Sequence, residues 1–400
     1  MANPPITRAD FDRYMVPTYA PAPDVLVRGS GSRVWGQSGR EYIDLAGGIA
    51  VNVLGHAHPR LVDALAAQSE RLWHVSNAYA TEPAIALARS LVERTFADRV
   101  FLTNSGGEAN EAALKLARRH ASDRHGEGKH EIISFTRSFH GRTLFTVSVG
   151  GTPAYTEGFG PLPGGITHLP FNDADALGDA MSERTCAVMM EPVQGEGGLV
   201  AAEPSFAHRV RELCTAHDAL LILDEVQSGV GRTGSLYAYQ DMGITPDILT
   251  TAKGLGGGFP IGAMLTTDEV AQSFAVGTHG STFGGNPMGA AVALEVLAVV
   301  ADPAFLADVR RKADLLSERL RQIGAASGAW AEVRGRGLWQ GVVLSGPWAG
   351  RSTDLATAAF EAGVLTLKAG ADVLRLAPAL DIPDGDLDEG LGRLADALRR

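Results

Sequence analysis

One lysine in this sequence stands in a setting that suits covalent chemistry. Lys253 ends the apolar run Asp247–Ala252 and is followed at once by the glycine-rich segment Gly254–Gly258. A lysine held between a buried strand and a glycine loop is partly desolvated, which lowers its pKa toward the nucleophilic free amine. A strand-end lysine whose ammonium reaches solvent fits the same pattern. The other lysines are predicted at the surface: Lys115, Lys129, Lys312 and Lys368.

An acidic residue ends the preceding apolar run. Leu221–Leu223 leads directly into Asp224, and an acid at the end of a parallel strand lies at the sheet edge where open α/β proteins bind ligands. Pyridoxal chemistry needs such an acid, because a carboxylate keeps the pyridine nitrogen protonated so that the ring can absorb the electrons of a carbanion. A capping aspartate is the alternative. It leaves the isolated Lys253 at the end of the next strand unexplained.

A third segment has the composition of an anion-binding turn. An apolar run, Val100–Thr103, is followed by Ser105, Gly106 and Gly107 and then by a helical pattern. Backbone N–H groups and the positive end of a helix dipole together bind anions. Because the Gly-Lys-Ser/Thr ending of a nucleoside-triphosphate loop is missing, a single phosphate monoester fits better than a nucleotide.

The segment Ser138–Thr143 supplies an aromatic ring and a guanidinium. Phe139 can stack on a planar ring, and Arg142 can bind a carboxylate through two parallel hydrogen bonds. His140 suggests a metal or acid–base role, as do His56 and His58. No acidic or cysteine partner lies at ligand spacing, so the sequence predicts no metal site.

Composition excludes several classes of protein. The formal net charge is −11 and no block of Lys and Arg interrupts the acidic balance, so a nucleic-acid partner is not expected. The two cysteines, Cys186 and Cys214, are predicted to be ordinary core residues. The start of the chain does not resemble a secretory signal. The sequence contains no run of about 18 apolar residues, the length needed to span a membrane. We therefore expect a soluble, cytoplasmic protein.

Short apolar runs alternate with helical patterns through the middle of the chain, which is typical of a parallel sheet covered by helices. The clearest helix is Glu108–His120, with Glu111 and Lys115 as a surface pair. The predicted strands are Val100–Thr103, Glu131–Phe135, Cys186–Met190, Leu220–Leu223, Ile248–Thr251 and Ala263–Thr266.

The pattern changes after about residue 300. A long helix, Ala304–Ile323, precedes strands near Ala331–Arg334 and Leu338–Val343, and a last helix starts at Asp384. We predict an α/β protein with a large domain, residues 56–300, built on a mostly parallel sheet. A smaller α+β domain, residues 301–400, is joined by an N-terminal segment, residues 1–55.

Taken together and in this order, these motifs resemble those of the class III aminotransferases, which have the fold type I architecture of pyridoxal-phosphate enzymes. The resemblance covers essentially the whole chain. Its motifs are Ser105–Asn110, Glu191–Gly198, Asp224–Gln227, Lys253 and His279–Pro287. The combination is specific, although each motif alone is not.

The resemblance implies a role for each matching residue. Lys253 would hold pyridoxal 5′-phosphate covalently and then move the substrate proton, while Asp224 would pair with the pyridine nitrogen. The remaining cofactor contacts would be Ser105, Gly106, Gly107, Phe139, Val226, Gln227 and, reaching the phosphate of the neighbouring subunit, Thr282. A homodimer with shared active sites follows from that last contact.

Within the class, the sequence is most similar to the acetylornithine and succinylornithine aminotransferases, through Ala46–Asn52 and Arg375–Leu380 among other segments. This similarity implies that Arg142 binds the remote carboxylate of the substrate and Arg375 the α-carboxylate of glutamate. Glu196 would cover Arg375 when an N-acylornithine is bound, and Tyr19 would orient the substituted nitrogen. The expected reaction exchanges an amino group between an N-acylornithine and 2-oxoglutarate.

Two alternatives remain open on the sequence. Another class III activity, on ornithine, 4-aminobutyrate or lysine, or an aminomutase, would use the same cofactor residues. A phosphate- or nucleotide-binding protein without transaminase activity would need only the anion-binding turn. The usual class III motif has Ser-Gly-Ala where this chain has Ser105, Gly106 and Gly107, a difference that does not affect the assignment to the class.

Overall fold

A seven-stranded sheet organises the centre of the chain in the computed structural model, which describes residues 6–399. Residues 1–5 of the predicted N-terminal segment and residue 400 of the predicted C-terminal domain lie outside the described residues. The strands of this sheet are β4 (Arg99–Thr103), β5 (Glu131–Phe135), β6 (Ile166–Leu169), β7 (Thr185–Met190), β10 (Leu220–Asp224), β11 (Ile248–Thr251) and β12 (Gly262–Thr266).

The strand order is β4-β12-β11-β10-β7-β5-β6. β12 runs antiparallel to both of its neighbours, and every other neighbouring pair in the sheet is parallel. Every residue of β7, β10 and β12 is buried. Continuous apolar strands of this kind are expected where helices cover both faces of a parallel sheet. The predicted α/β fold with a mostly parallel sheet is confirmed.

Helices cover the sheet on both faces. Ser105 caps the longest helix of the large sheet, α5, by accepting a hydrogen bond from the Glu108 N–H. The small side chains of Ala112, Ala113 and Ala117 are fully buried there. The α-helices up to residue 300 are α1 (Arg8–Tyr14), α2 (Gly47–Ala50), α3 (Pro59–Ser69), α4 (Glu82–Val92), α5 (Gly106–His125), α6 (Leu144–Val149), α7 (Ala174–Ala180), α8 (Pro204–Ala216), α9 (Asp268–Ala271) and α10 (Pro287–Val300).

The C-terminal part forms a second sheet with its own helices. Its strand order is β13-β14-β17-β16, and β17 lies between β14 and β16 in antiparallel pairing. The elements are α11 (Pro303–Ser327), β13 (Trp330–Arg336), β14 (Trp339–Leu344), α12 (Ser352–Glu361), β15 (Val364–Leu365), β16 (Leu367–Lys368), β17 (Val373–Leu376) and α13 (Asp384–Ala397).

The N-terminal strands pair with the C-terminal part. They are β1 (Leu26–Ser30), β2 (Arg33–Gly36) and β3 (Glu41–Asp44), and β15 adds to β3 in parallel, with Val364 opposite Ile43. A two-stranded ribbon, β8 (Val193–Gln194) with β9 (Val200–Ala201), follows β7. The pairing of β3 with β15 supports a contribution of the N-terminal segment to the smaller domain. The division at residues 55 and 300 stays a prediction.

The six strands predicted for the central sheet are all present, with bounds that differ by at most one residue at either end. β6 was missed, because this edge strand is only partly buried and lacks a continuous apolar run. The predicted helices 108–120 and 304–323 extend at both ends to become α5 and α11. Both cysteines are buried, as expected of core residues.

Three statements about the lysines were wrong. Lys129 and Lys312 are buried rather than at the surface. The Lys129 ammonium donates to the backbone carbonyls of Glu183 and His217, so carbonyl oxygens from two loops replace its water. Lys312 pairs with Asp308 one helical turn away. Lys115 Nζ contacts His279 Nδ1 at 2.8 Å instead of the predicted partner Glu111.

Between residues 6 and 399, no single helix is both long and apolar enough to cross a membrane. Only α10 and α11 taken together reach that length and composition, and they are bent by 72° where they meet.

Candidate active site

A cavity of about 340 Å³ lies at the carboxyl edge of the parallel strands. Loops that leave β4, β5, β7, β10 and β11 contribute to its wall, which is the arrangement that open α/β sheets use for ligands. The lining residues are Val51, Asn104, Ser105, Gly106, Gly107, Asn110, Phe139, His140, Gly141, Glu191, Asp224, Val226, Gln227, Ala252, Lys253 and Gly258–Ile261. Most of the predicted cofactor residues are therefore brought together.

Lys253 follows β11 after one intervening residue and is half-buried at the wall of the cavity. Its φ of 43° is in the left-handed region, which is unusual for a residue with a side chain. Burial lowers the pKa of its ammonium group to about 8, and the charge of Arg375 acts in the same direction. The carboxylates of Glu196, Asp224 and Glu191 oppose this shift. A larger fraction of the amine than in an ordinary lysine is consequently neutral, and thus nucleophilic, near neutral pH.

Asp224, the last residue of β10, is buried in a hydrogen-bond network. Its Oδ2 lies 2.8 Å from His140 Nδ1 and accepts a hydrogen bond of 2.8 Å from Asn110 Nδ2. Its Oδ1 accepts from the Val226 N–H at 3.0 Å. Asn110 is itself fixed by Thr250, whose hydroxyl donates to the Asn110 side-chain oxygen. Since an ionised carboxylate can only accept, His140 Nδ1 carries a proton here.

The predicted anion-binding turn lies at the N-terminus of α5. The first N–H groups of a helix have no carbonyl partner within it, so they are available to an anion. A Cβ at Gly106 would lie 2.5 Å from Val226 Cγ1, and so no side chain fits at that position. A Cβ at Gly107 would meet no atom closer than 3.9 Å, so an alanine fits here without strain.

Phe139 lines the cavity, whereas Arg142 lies on the exposed side of the same loop. The Arg142 guanidinium carbon is 3.6 Å from the centre of the Tyr155 ring and 5.6 Å from that of Phe139. These cation–π contacts hold the side chain without neutralising its charge. Arg142 therefore keeps its capacity to bind a carboxylate, but it does not line the cavity of the single chain.

Glu196 and Arg375 form an ion pair beside Lys253. The Arg375 Nη1 donates to Glu196 Oε1 at 2.6 Å, and Arg375 is almost completely buried on β17. Its Nε is buried without a hydrogen-bond partner among the described residues. An incompletely bonded guanidinium is well suited to receive a second carboxylate.

Five predicted residues do not line the cavity: Arg142, Glu196, Arg375, Thr282 and Tyr19. Thr282 is exposed and lines a separate surface hollow together with His74 and Tyr79. Tyr19 is 78% exposed near the N-terminus of the described chain. Neither Thr282 nor Tyr19 touches the other site residues within one chain, so their predicted roles stay predictions.

The residues at the cavity fit pyridoxal phosphate, the cofactor that the sequence implies. The α5 N-terminus suits a phosphate, and the lysine has a lowered pKa. The carboxylate of Asp224 is held in place by three donors. Gln227 Oε1 is buried without a partner among the described residues, as expected of an atom that bonds a polar group of a ligand.

Sequence reasoning missed three residues of this site. His140 was set aside for want of a nearby acid, yet its partner Asp224 comes from a strand 84 residues further along the chain. Asn110 joins the same carboxylate from α5. Glu191 lies in a motif that was recognised, but no role was given to it. Pairing across the sheet brings these side chains together, and no local spacing indicates it.

Comparisons with known proteins agree with this geometry. A family described as aminotransferase class III matches residues 14–398. The chain is 59% identical over 394 residues to an acetylornithine aminotransferase of Pseudomonas putida, covering 98% of this chain and 97% of that protein. It is 57% identical over 395 residues to a succinylornithine transaminase/acetylornithine aminotransferase of Pseudomonas aeruginosa, covering 99% and 97%.

A solved structure is also similar over nearly the whole chain. The crystal structure of N-acetylornithine aminotransferase from Stenotrophomonas maltophilia K279a superposes with a TM-score of 0.86 at 44% identity, and 98% of each chain is covered.

Proposed function

The chain belongs to the class III aminotransferases and is a pyridoxal-phosphate-dependent transaminase, and from this premise we propose its substrates. The enzyme moves the terminal amino group of N-acetylornithine, or of N-succinylornithine, to 2-oxoglutarate. The products are the corresponding semialdehyde and glutamate, so the reaction belongs to arginine metabolism. The names of its relatives from two Pseudomonas species support this choice.

The observation that carries the proposal is the ion pair between Arg375 and Glu196, whose charges both act on the pKa of Lys253. Glutamate has an α-carboxylate next to its reacting amine and needs a cation there. The terminal amine of an N-acylornithine has no neighbouring carboxylate. Leaving the buried Arg375 unpaired beside the apolar chain of an N-acylornithine would be costly. The side chain of Glu196 can pair with Arg375 while that substrate is bound. One site can then serve both half-reactions.

Several residues would hold the cofactor. The N–H groups of Ser105, Gly106 and Gly107 are proposed to bind the phosphate, and Asp224 to pair with the pyridine nitrogen. His140 and Asn110 both donate to Asp224 and hold its carboxylate in place. The remaining proposed contacts are Phe139 and Val226 on the two ring faces and Gln227 near the ring hydroxyl.

Lys253 is proposed to carry out the proton transfers. When bound, pyridoxal phosphate withdraws electrons from the bond that breaks at the substrate carbon. The neutral Nζ of Lys253 would accept the proton from that substrate carbon and pass it to C4′ of the cofactor. Because burial lowers the pKa of this amine to about 8, Nζ can both accept and donate a proton near neutral pH.

The substrate carboxylate that lies far from the reacting amine is proposed to bind Arg142. No carboxylate of the described residues pairs with Arg142, and its ring contacts leave the N–H groups available. Tyr19 is proposed to orient the acylated nitrogen. Both residues are exposed in the single chain, so this part of the substrate site is proposed to be completed in the dimer.

We also infer a cytoplasmic homodimer with shared active sites. Large apolar side chains are exposed near Thr282: Tyr79, which lines the same hollow, at 72%, and the adjacent Phe283 at 60%. Asn77 joins this surface by donating to the backbone carbonyls of Ser281 and Gly284. An exposed apolar patch of this kind is typical of a subunit interface. Sedimentation of the wild type and of Phe283→Asp tests the interface, since the charged variant is expected to shift toward monomer.

A substrate panel tests the proposed function. The purified enzyme would be assayed with N-acetylornithine, N-succinylornithine, ornithine and 4-aminobutyrate, each with 2-oxoglutarate as acceptor. We expect one of the two N-acylornithines to give the highest kcat/KM. A preference for free ornithine or 4-aminobutyrate would contradict the proposed substrate but not the assignment to the class III aminotransferases. A colourless protein that borohydride does not modify would reject the covalent cofactor link itself.

A further inference from the structure

Glu191 is a buried carboxylate at the cavity to which the proposed function gives no role. It directly follows β7, is 5% exposed and lines the cavity together with Lys253. Its Oε1 accepts a hydrogen bond from the backbone N–H of Phe139 at 3.0 Å. Its Oε2 accepts from the backbone N–H of Gly195 at 3.3 Å. One carboxylate therefore joins two loops that leave the adjacent parallel strands β5 and β7.

Both loops carry proposed site residues. Phe139 is proposed to stack on the cofactor ring, and Gly195 immediately precedes Glu196, the partner of Arg375. The hydrogen bond of the Gly195 N–H therefore helps to fix the position of the Glu196 backbone. A displacement of this amide would move the Glu196 carboxylate relative to Arg375.

Gly195 is also closely enclosed on its other side. A Cβ at this position would lie 2.4 Å from Trp339 Cζ2 and 2.6 Å from Gln227 Nε2. The Trp339 ring, which is fully buried, blocks movement in that direction. Glu191 thus holds the turn from one side while Trp339 limits it from the other.

Only a carboxylate can accept at both of these positions. A glutamine has one acceptor oxygen, so its NH₂ group would face the second backbone N–H as donor against donor. Burial, together with the nearby charge of Asp224, raises the pKa of Glu191 to about 7. His140 and the two backbone N–H groups favour the ionised form.

We propose that Glu191 is a positioning residue that keeps the Phe139 loop and the Glu196 loop in fixed relation. By holding Glu196 against Arg375, it sets the preference of the enzyme between an N-acylornithine and glutamate. This inference rests on the proposed two-substrate function. It assigns Glu191 no contact with substrate and no proton transfer.

Three variants of the full-length enzyme test the inference. Glu191→Gln removes one of the two acceptors, while Glu191→Asp keeps both oxygens on a side chain shorter by one methylene. Glu225→Gln is the matched control, because Glu225 is also fully buried and accepts from two backbone N–H groups, those of Ala238 and Tyr239. Glu225 does not line the cavity.

Two readouts are needed. The kcat/KM of each half-reaction is measured with N-acetylornithine and with glutamate. Amide hydrogen exchange of the segments 136–142 and 193–198 is followed in the holoenzyme and after removal of the cofactor. The second readout reports the two backbone contacts whether or not the enzyme turns over.

We expect Glu191→Gln to lower kcat/KM for N-acetylornithine by about 10-fold and that for glutamate by less than about 3-fold, the scale of one lost buried hydrogen bond. Exchange at Phe139 and Gly195 should accelerate by about 10-fold. Glu191→Asp should recover part of both effects. Glu225→Gln should reduce thermal stability but leave the substrate ratio within about 2-fold of the wild type.

Two results would overturn the inference. One is a wild-type substrate ratio in folded Glu191→Gln, and the other is unchanged exchange at both amides. A wild-type enzyme without activity on any N-acylornithine would reject the proposed function, and with it the effect on substrate preference. The exchange measurement would then still decide whether Glu191 holds the two loops.

Discussion

The Arg375 guanidinium donates to the Glu196 carboxylate across 2.6 Å, and both charges act on the pKa of Lys253. The two residues come from different parts of the chain: Arg375 from β17, and Glu196 from the turn between β8 and β9. The pair neutralises a buried arginine in the absence of a ligand. In the proposed function, the α-carboxylate of glutamate would be a second carboxylate brought to Arg375.

Glu196→Ala is expected to separate the two half-reactions. The glutamate half-reaction should stay nearly intact, because the substrate itself supplies a carboxylate to Arg375. The N-acylornithine half-reaction should weaken by about 1–3 kcal/mol, the cost of leaving a buried polar group unpaired. Single-turnover kcat/KM for each half-reaction measures the difference. Equal losses in both would show that Glu196 has only a structural role.

Lys253→Ala should abolish transamination while leaving the fold intact. Covalent activation and proton transfer are lost together, so a decrease of several orders of magnitude is expected. Lys368→Ala is the control, because Lys368 is an exposed lysine whose ammonium donates to the Thr353 hydroxyl. Circular dichroism checks the fold. A folded variant that retained more than a few per cent of wild-type activity would contradict the assignment.

Attachment of pyridoxal phosphate to the apoenzyme should depend on pH through Lys253. The neutral amine is the nucleophile, and burial lowers its pKa from 10.5 to about 8. The attachment rate is therefore expected to rise with pH and to level off above about pH 8. Stopped-flow absorbance with excess pyridoxal phosphate gives the profile. A rate that kept rising to pH 10 would mean that the amine has an ordinary lysine pKa.

Asp224→Asn should bind the cofactor but transaminate poorly. An amide oxygen can still accept from His140 and Asn110, so the fold should persist, although the amide NH₂ group would face the Val226 N–H and lose that hydrogen bond. A neutral amide cannot keep the pyridine nitrogen protonated, and proton removal from the substrate should slow markedly. Rapid-mixing spectra with glutamate measure this step. A wild-type rate of proton removal would show that Asp224 has only a structural role.

Glu225→Gln should destabilise the protein in a pH-dependent way. Burial raises the pKa of Glu225 from 4.5 to about 7, so the folded state binds more protons than the unfolded state between these values. The stability that this group contributes is therefore present below about pH 4.5 and is lost as pH rises through about 7.

The difference in unfolding free energy between wild type and Glu225→Gln should thus narrow between pH 5 and pH 8. A change on the order of 2 kcal/mol is expected from the size of the shift. Urea denaturation at several pH values measures it. A difference that is constant across this range would show that Glu225 ionises in the same way in both states.

The His140–Asp224 contact illustrates the limit of sequence reasoning. The histidine was recognised as chemically capable, but an acid at local spacing was missing, and the hypothesis was set aside. The acid is supplied by β10, which lies two strands from β5 in the sheet. Lys129 was misjudged for a related reason: a polar local sequence does not show that two distant backbone carbonyls will surround the side chain.

The sequence by itself determined the class, the cofactor and the order of the central strands along the chain. Continuous apolar runs must be buried on both faces, and the short motifs at their ends must then lie at one sheet edge. Only the tertiary structure decided which of these motifs touch. The contacts of Glu191 with Phe139 and Gly195, and of Arg375 with Glu196, depend on strand order and on the packing of the C-terminal sheet. Those are set by the burial of many distant side chains at once, and no local spacing encodes them.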